Sequence, residues 1–414
     1  MTQERTEELL NEGRNVFLTG PAGSGKTTIL GKFITSARGK GTKVAVTAST
    51  GVAATHLNGT TIHSWAGIGI SDRMTPQELD ELAQKQYLHK RFMETDILII
   101  DEVSMLHSYR LDLVDLVLRT VTDRDEPFAG IQVVLAGDFF QLPPVNRGGG
   151  GEQHFAFEAE VWEKMNLAVC YLDTVHRQAD DPLLKVLEEL RMGEVSEESG
   201  ELLQERMESQ VPDHITPTKL YTHNVDVDAM NLEHLNELST PLEVFSMTHT
   251  GKKQYVTTLK KYCLAPEELG LKVGAQVMFI KNNFVEGYVN GTMGTVISFD
   301  KGKPIVETTD GQEVIVEPDS WGFDQGGAQV AKITQLPLRL AWAITVHKSQ
   351  GMTLDEVEVD LSKSFAAGMG YVALSRVKTL KGLHIRGLNK QALAVDPLVA
   401  QHDELFQQQS QTVE

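Results

Sequence analysis

Apolar residues along the first 175 positions gather into short runs that are hydrophobic on consecutive residues rather than alternate ones. Asn15–Thr19, Lys43–Thr47, Asp96–Ile100, Gln132–Ala136 and Leu167–Leu172 are such runs, each separated from the next by stretches of helical character. A strand that is apolar on both faces belongs inside a parallel sheet with helices on either side. The pattern therefore predicts an α/β lobe over residues 1–175, with its chemistry at the carboxyl ends of the strands. An acid-rich helical stretch follows over Pro182–Gln210, and Lys219–Asn224 reads as a further strand.

Between Met247 and Thr334 the pattern changes to short strands, many glycines, and turn pairs such as Asn290-Gly291 and Asp310-Gly311. That is the signature of a small antiparallel barrel. The βα rhythm then resumes as LRLAWAIT, a helix, VEVDLS, another helix and GLHIRGL. The expected layout is a second α/β lobe over 176–246 and 335–390, interrupted by a β-barrel over 247–334. The tail, 391–414, ends Gln-rich and is expected to fray.

Composition changes this picture little. With 414 residues the chain is long enough for two or three domains. No apolar run approaches the length needed to span a bilayer, so no membrane partner is expected. Cys170 and Cys263 have neither metal-ligand nor redox spacing, which suits a reducing cytoplasm. The formal charge of −19 argues at first against a polyanionic partner. It is uneven, however: Asp180–Asp213 holds eleven acids against three bases, while Val330–Lys390 holds four acids against nine bases. Binding of phosphates responds to the local field, so a groove lined by the later segment could still hold nucleic acid.

Chemistry enters at Gly20–Thr27, which fits G-x-x-x-x-G-K-[ST] between a strand and a helix. Its glycines let the loop Gly20, Pro21, Ala22, Gly23, Ser24 and Gly25 curl so that its backbone N–H groups, which Pro21 lacks, point at phosphate oxygens. Lys26 reaches the β and γ phosphates, Thr27 offers a hydroxyl to Mg²⁺, and Thr28 continues the turn. ILIIDEVSM, Ile97–Met105, supplies the acidic partner: Asp101 for Mg²⁺ and Glu102 to deprotonate an attacking water. A third strand end, LAGDFFQLPPV, places Gln141 where a γ-phosphate could be felt. ATP and Mg²⁺ are the expected ligands.

These motifs, with TVHKSQGMTLD (Thr345–Asp355) and YVALSRV (Tyr371–Val377), occur in the order of those of superfamily-one DNA helicases. The chain most resembles the petite-integration-frequency family, relatives of the RecD-like 5′-to-3′ helicases. TASTGVAA, TIHSWAGIG, and LHSYRLDLVDLVLRTV between the second and third motifs carry the resemblance further, as do LKVGAQVMFIKN and VNGTMGTV in the β module. The resemblance implies two RecA-like lobes, an SH3-like barrel inserted in the second, ATP hydrolysis, and 5′-to-3′ movement on single-stranded DNA by a monomeric motor acting on 5′-tailed duplex or structured DNA.

It also implies site residues. Arg177 and Arg376 resemble the arginines that neutralise charge on the γ-phosphate. Gln350 and Gly351 would lie near the phosphates, and Gln3 occupies the place of an adenine-reading glutamine. Thr47, Ser49, Thr50, Gly51, His63, Thr345, His347 and Lys348 would contact DNA, with Pro143 and Pro144 coupling the strand to Gln141. Residues 70–90 are the place of a short strand-separating wedge. Trp65 and Trp342 read as core, and Phe139 and Phe140 are as well suited to packing as to DNA. Two other readings stay open: a DNA-dependent ATPase or translocase with little unwinding, and a binding adaptor controlled by ATP.

Overall fold

The structure is a computed structural model. It describes every residue except 58, 70, 146–152, 174–180, 212–216, 223–226, 284, 326–327 and 414. The chain divides into two compact units. The first comprises Met1–Arg177, Phe323–Gln329 and Pro397–Glu414, and the second Gln178–Gly322 and Val330–Asp396.

In the first unit the strands are β1 (Val16–Thr19), β2 (Val44–Ala48), β3 (Thr60–Thr61), β4 (Ile97–Asp101), β5 (Gln132–Ala136) and β6 (Ala168–Tyr171). They form one parallel sheet in the order β3-β2-β4-β5-β1-β6. Each of the five apolar runs becomes a strand to within a residue. The cause is burial on both faces: Leu98, Ile99, Ile100, Val133, Val134 and Leu135 are all sealed from solvent. Every strand of a parallel sheet delivers its carboxyl end to the same edge. Ala48 sits in register with Asp101, and Leu18 with Ala136.

Within the place of the expected wedge, two short helices form, Pro76–Ala83 and Gln86–Met93. Helix Pro76–Ala83 begins with a reciprocal cap between Thr75 and Glu78 and carries proline in its first turn. Helix Gln86–Met93 follows, and both pack on helix Ser108–Thr122, with Leu82, Leu88 and Phe92 buried.

The second unit holds a parallel sheet and an antiparallel module. Its strands continue as β7 (Thr218–Tyr221), β8 (Glu243–Ser246), β9 (Thr248–Gly251), β10 (Glu268–Leu271), β11 (Gln276–Phe279), β12 (Met293–Asp300), β13 (Lys303–Thr308) and β14 (Glu313–Ile315). After these come β15 (Asp319–Gln325) and β16 (Ala328–Gln335), of which Phe323–Gln329 counts with the first unit, then β17 (Leu338–Leu340), β18 (Ala343–Thr345), β19 (Val357–Leu361) and β20 (Leu383–Leu388). The parallel sheet runs β18-β7-β19-β20. The module consists of sheets ordered β14-β13-β12-β11-β17, β15-β16-β9 and β10-β8.

Three expectations are corrected here. LRLAWAIT is not one strand. Leu338–Leu340 pairs antiparallel with β11, whereas Ala343–Thr345 pairs parallel with β7. The break at Ala341-Trp342 is pinned by Asn231, whose side-chain amide exchanges two hydrogen bonds of 2.9 Å with the Ala343 backbone. The helix expected after it is a turn instead, closed by Ser349 N–H to Thr345 O at 3.0 Å and by Lys348 N–H to the Thr345 hydroxyl at 3.3 Å. The tail does not fray: Pro397–Val413 is a helix.

That last helix belongs to the first unit. Glutamine is a good helix former, and Val399, Phe406 and Ser410 recur at spacings of one face. Phe406 enters an aromatic cluster, with ring centroids 5.0 Å from Phe17 and 6.1 Å from each of Phe139, Phe157 and Trp162. The edge strand β6 is tied to it as well. Tyr171 donates its N–H to Ser410 Oγ at 3.1 Å and its hydroxyl to Asp403 at 3.0 Å. Phe139 is therefore core, as are Trp65 and Trp342, and Phe140 is buried.

Truncating a buried aromatic leaves a cavity that costs about 3–5 kcal/mol. Phe406→Ala is expected to lower stability by that order in urea unfolding followed by tryptophan fluorescence. A change below about 1 kcal/mol would mean that the helix does not dock on this cluster.

Candidate functional site

The phosphate loop follows β1. Gly20, Gly23 and Gly25 all take positive φ, at 140°, 86° and 93°. Gly20 also has no room for a side chain, since a Cβ would lie 2.3 Å from the Leu172 carbonyl oxygen. Only glycine satisfies both demands. Helix Lys26–Gly39 starts at Gly25 with no acid in its first turn, so its N-terminal N–H groups keep their positive character. Lys26 Nζ donates to the Gly20 and Pro21 carbonyls at 2.7 and 3.0 Å. Pro21 is half-buried and Ala22 and Ser24 are buried, while Gly23, Thr27 and Thr28 are exposed. The chain terminus is anchored beside the loop: the Met1 amine donates to Tyr171 O at 2.9 Å, one residue before Leu172. Gln3, half-buried, opens helix Gln3–Asn11 there.

β5 lies between β1 and β4, so the DEVSM turn, the GDFFQ turn and the phosphate loop are neighbours at one sheet edge. Asp101 feels the charge of Lys26. Burial nonetheless pushes its carboxyl up to about 6, against the Glu102 N–H bond (2.9 Å) and that lysine. Glu102 has left-handed backbone, φ 51° and ψ 45°. Gly137 of the GDFFQ turn packs so closely that a Cβ would lie 3.0 Å from Val103 N. Asp138 shapes the turn: its carboxylate accepts from Phe140 N at 3.2 Å and from Gln141 Nε2 at 3.4 Å. Asp138 was not singled out from sequence; its signal was an acid three residues before the glutamine. Pro143 is half-buried and Pro144 buried, directly after it.

The residues expected to meet DNA divide into two sets. At the end of β2, Ser49 and Gly51 are buried and Thr50 is half-buried. Thr47 departs from expectation. It is sealed inside the sheet, and its hydroxyl donates to the Ile99 carbonyl at 2.6 Å, so it holds β2 to β4 and presents nothing to a ligand. His63 is half-buried on helix Ile62–Trp65, facing Arg110 Nη1 at 3.5 Å, and Arg110 forks onto Asp72. In the second unit, Thr345 is buried and caps the turn, with His347 and Lys348 half-buried within it.

Arg376 is also in the second unit and buried. Its guanidinium donates to Val372 O (2.9 Å), Ser349 O (3.4 Å), Met352 O (3.3 Å) and Ser375 Oγ (2.7 Å). These bonds bring it to the turn that carries buried Gln350 and exposed Gly351, the latter at φ 74°. Arg177 lies outside the described residues.

A profile of PIF1-like helicases matches residues 4–198, and one of the DNA helicase Pif1 2B domain matches residues 254–299. The chain is 43% identical over 468 residues to the ATP-dependent DNA helicase Pif1 of Psychrobacter sp. (strain PRwf-1), covering 98% of this chain and 71% of that one. It spans 61% and 60% of the length of the Xenopus laevis and Homo sapiens relatives. A crystal structure of Bacteroides sp Pif1 in complex with ADP-AlF4 superposes with a TM-score of 0.86 at 31% identity, covering 98% of this chain and 96% of that one. Bacteroides Pif1 bound to ssDNA superposes with a TM-score of 0.63 at 30% identity, covering 97% and 95%.

Burial, reinforced by the Arg110 charge and opposed by Asp72, pushes the His63 imidazole down to about 4. The unfolded chain takes up its proton near 6.5, so this site costs stability as pH falls from about 6.5 to about 4, and nothing above that window. Histidine NMR titration should place the His63 midpoint near 4. A midpoint near 6.5 would show that the ring is not held neutral against Arg110.

Proposed function

The chain belongs to the PIF1-like helicase family, and we propose that it hydrolyses ATP to travel 5′ to 3′ along single-stranded DNA and part the duplex or folded DNA ahead of it. The observation that carries this reading is the meeting of Lys26, Asp101, Glu102 and the Gln141 turn at one edge of the first sheet. Relatives solved with ADP-AlF4 and with ssDNA support both ligands.

In this reading the triphosphate draws Lys26 Nζ from the loop carbonyls to the β and γ oxygens. The loop N–H groups and the helix N-terminus hold the remaining negative charge. Glu102 accepts a proton from water as its oxygen attacks the γ-phosphorus; the bond to the bridging oxygen breaks, and the electron pair leaves on ADP. Gln141, oriented by Asp138, positions that water or the phosphate. Arg376 and Arg177 supply positive charge to the γ-phosphate. Gln3 reads the adenine edge, and Gln350 and Gly351 line the phosphates.

Mg²⁺ fits the donors present. Thr27 offers an exposed hydroxyl and Asp101 a half-buried carboxylate. A cation that takes few protein oxygens and keeps water and phosphate ligands suits such a site. When bound it would neutralise charge on the β and γ oxygens. DNA would run past Ser49, Thr50, Gly51 and His63 of the first unit and Thr345, His347 and Lys348 of the second. Pro143 and Pro144 would carry its position to Gln141.

We further propose that it works as a monomer in a reducing, cytoplasmic setting. Cys170 and Cys263 are both free, and burial pushes their thiols up to about 11 and about 12, where they are inert.

Glu102→Gln removes the proton acceptor while keeping shape. Steady-state assays should show kcat falling about 10²-fold or more, with ATP still bound by equilibrium binding; near-normal turnover would take the base role away from Glu102. On matched duplexes with ATP, strand separation is expected from a 5′ single-stranded tail and not from a 3′ tail. Separation from the 3′ tail alone would reverse the polarity, and ATP turnover with neither separated would leave a strand-tracking ATPase.

A further inference from the structure

Ser49 makes two contacts that its place in a DNA-facing segment does not require. Its N–H donates to the Asp101 carbonyl at 3.1 Å, and its hydroxyl donates to the Glu102 carbonyl at 2.5 Å. The first continues the β2–β4 pairing. The second reaches past the strand end and takes hold of the residue that carries the hydrolytic carboxylate.

Glu102 needs a restraint of this kind. Left-handed backbone is unfavourable at a residue with a Cβ and persists only where its surroundings enforce it. The Glu102 carbonyl is fixed from two directions, by Ser49 Oγ and by Met105 N–H at 3.2 Å, while Gly137 closes on the next peptide from the GDFFQ side. This backbone sets where the Glu102 Cβ points, so the Ser49 bond helps fix the frame from which the carboxylate is aimed.

A serine hydroxyl has one proton to donate. Spent on the Glu102 carbonyl, it cannot also go to a DNA phosphate, which only accepts. The neighbouring Thr50 is half-buried, and Ser49 itself keeps 7% of its surface exposed. We propose that Ser49 is a positioning residue that couples strand occupancy to hydrolysis: its hydroxyl turns from the Glu102 carbonyl to a backbone phosphate when DNA lies at the end of β2, and Glu102 shifts with it. No covalent step is involved, and the exchange is one hydrogen bond for another. This inference rests on the reading above that the β2 end grips DNA.

The test measures kcat at saturating ATP, with and without saturating oligothymidine, for the full chain and its Ser49→Ala and Ser49→Thr variants, together with DNA affinity by fluorescence anisotropy. The alanine variant should lose about fivefold or more of the stimulation ratio, while its DNA affinity falls by less than about tenfold, the effect of one neutral hydrogen bond. Threonine keeps the donor and should restore the ratio to within about twofold of the parent. An alanine variant that keeps the parent ratio overturns the inference and leaves the functional reading standing. Equal loss in alanine and threonine overturns it too, because the hydroxyl is then not what matters. A parent protein whose rate ignores DNA removes the functional reading, and the inference with it.

Discussion

Parallel strand pairing is the constraint from which the rest of the first unit follows. It obliges β1, β2, β4 and β5 to end at the same edge, and sheet order decides which ends are neighbours. With β5 between β1 and β4, the phosphate loop, the DEVSM turn and the GDFFQ turn converge. With β2 beside β4 in the register Ala48 to Asp101, the TASTG segment lies against the acidic turn. Backbone hydrogen bonds thus join the two halves of the chemistry, phosphate and strand, before any side chain is considered.

The electrostatics of that edge turn on one half-buried carboxyl and one lysine. A triphosphate beside Asp101 would be strongly repelled without compensation. Lys26 and the uncapped helix N-terminus supply part of it, and desolvation holds the Asp101 carboxyl above its usual range. The overall charge of −19 is compatible with this because the phosphate loop offers fixed N–H dipoles rather than a basic surface.

Where burial alone determined structure, the sequence was readable. Ile97–Asp101 and Gln132–Ala136 are apolar on both faces and became central strands; the glycines of Gly20–Thr27 had a steric reason that the positive φ values bear out. The misreadings arose where partners distant in sequence decide. LRLAWAIT is uniformly apolar, and only the Asn231 clamp, more than a hundred residues upstream, tells that it serves two sheets. The Gln-rich tail is polar enough to look unanchored, and Phe406 docks it together with the Tyr171 bonds to Ser410 and Asp403. Thr47 and Ser49 are two residues apart and equally polar, yet one hydroxyl holds Ile99 and the other holds Glu102, a difference that register reveals and composition cannot. Asp138 escaped notice because a carboxylate that orients a glutamine leaves no spacing signature of its own.

The central claim is that the end of β2, proposed to grip DNA, and the turn after β4, proposed to carry the hydrolytic base, form one mechanical unit. Hydrogen–deuterium exchange of a peptide spanning residues 97–106, followed with and without oligothymidine in the absence of nucleotide, tests it most directly. Coupling predicts that DNA changes the protection of the amides from 102 to 105. Unchanged exchange there, under conditions where anisotropy shows the oligonucleotide bound, would contradict it.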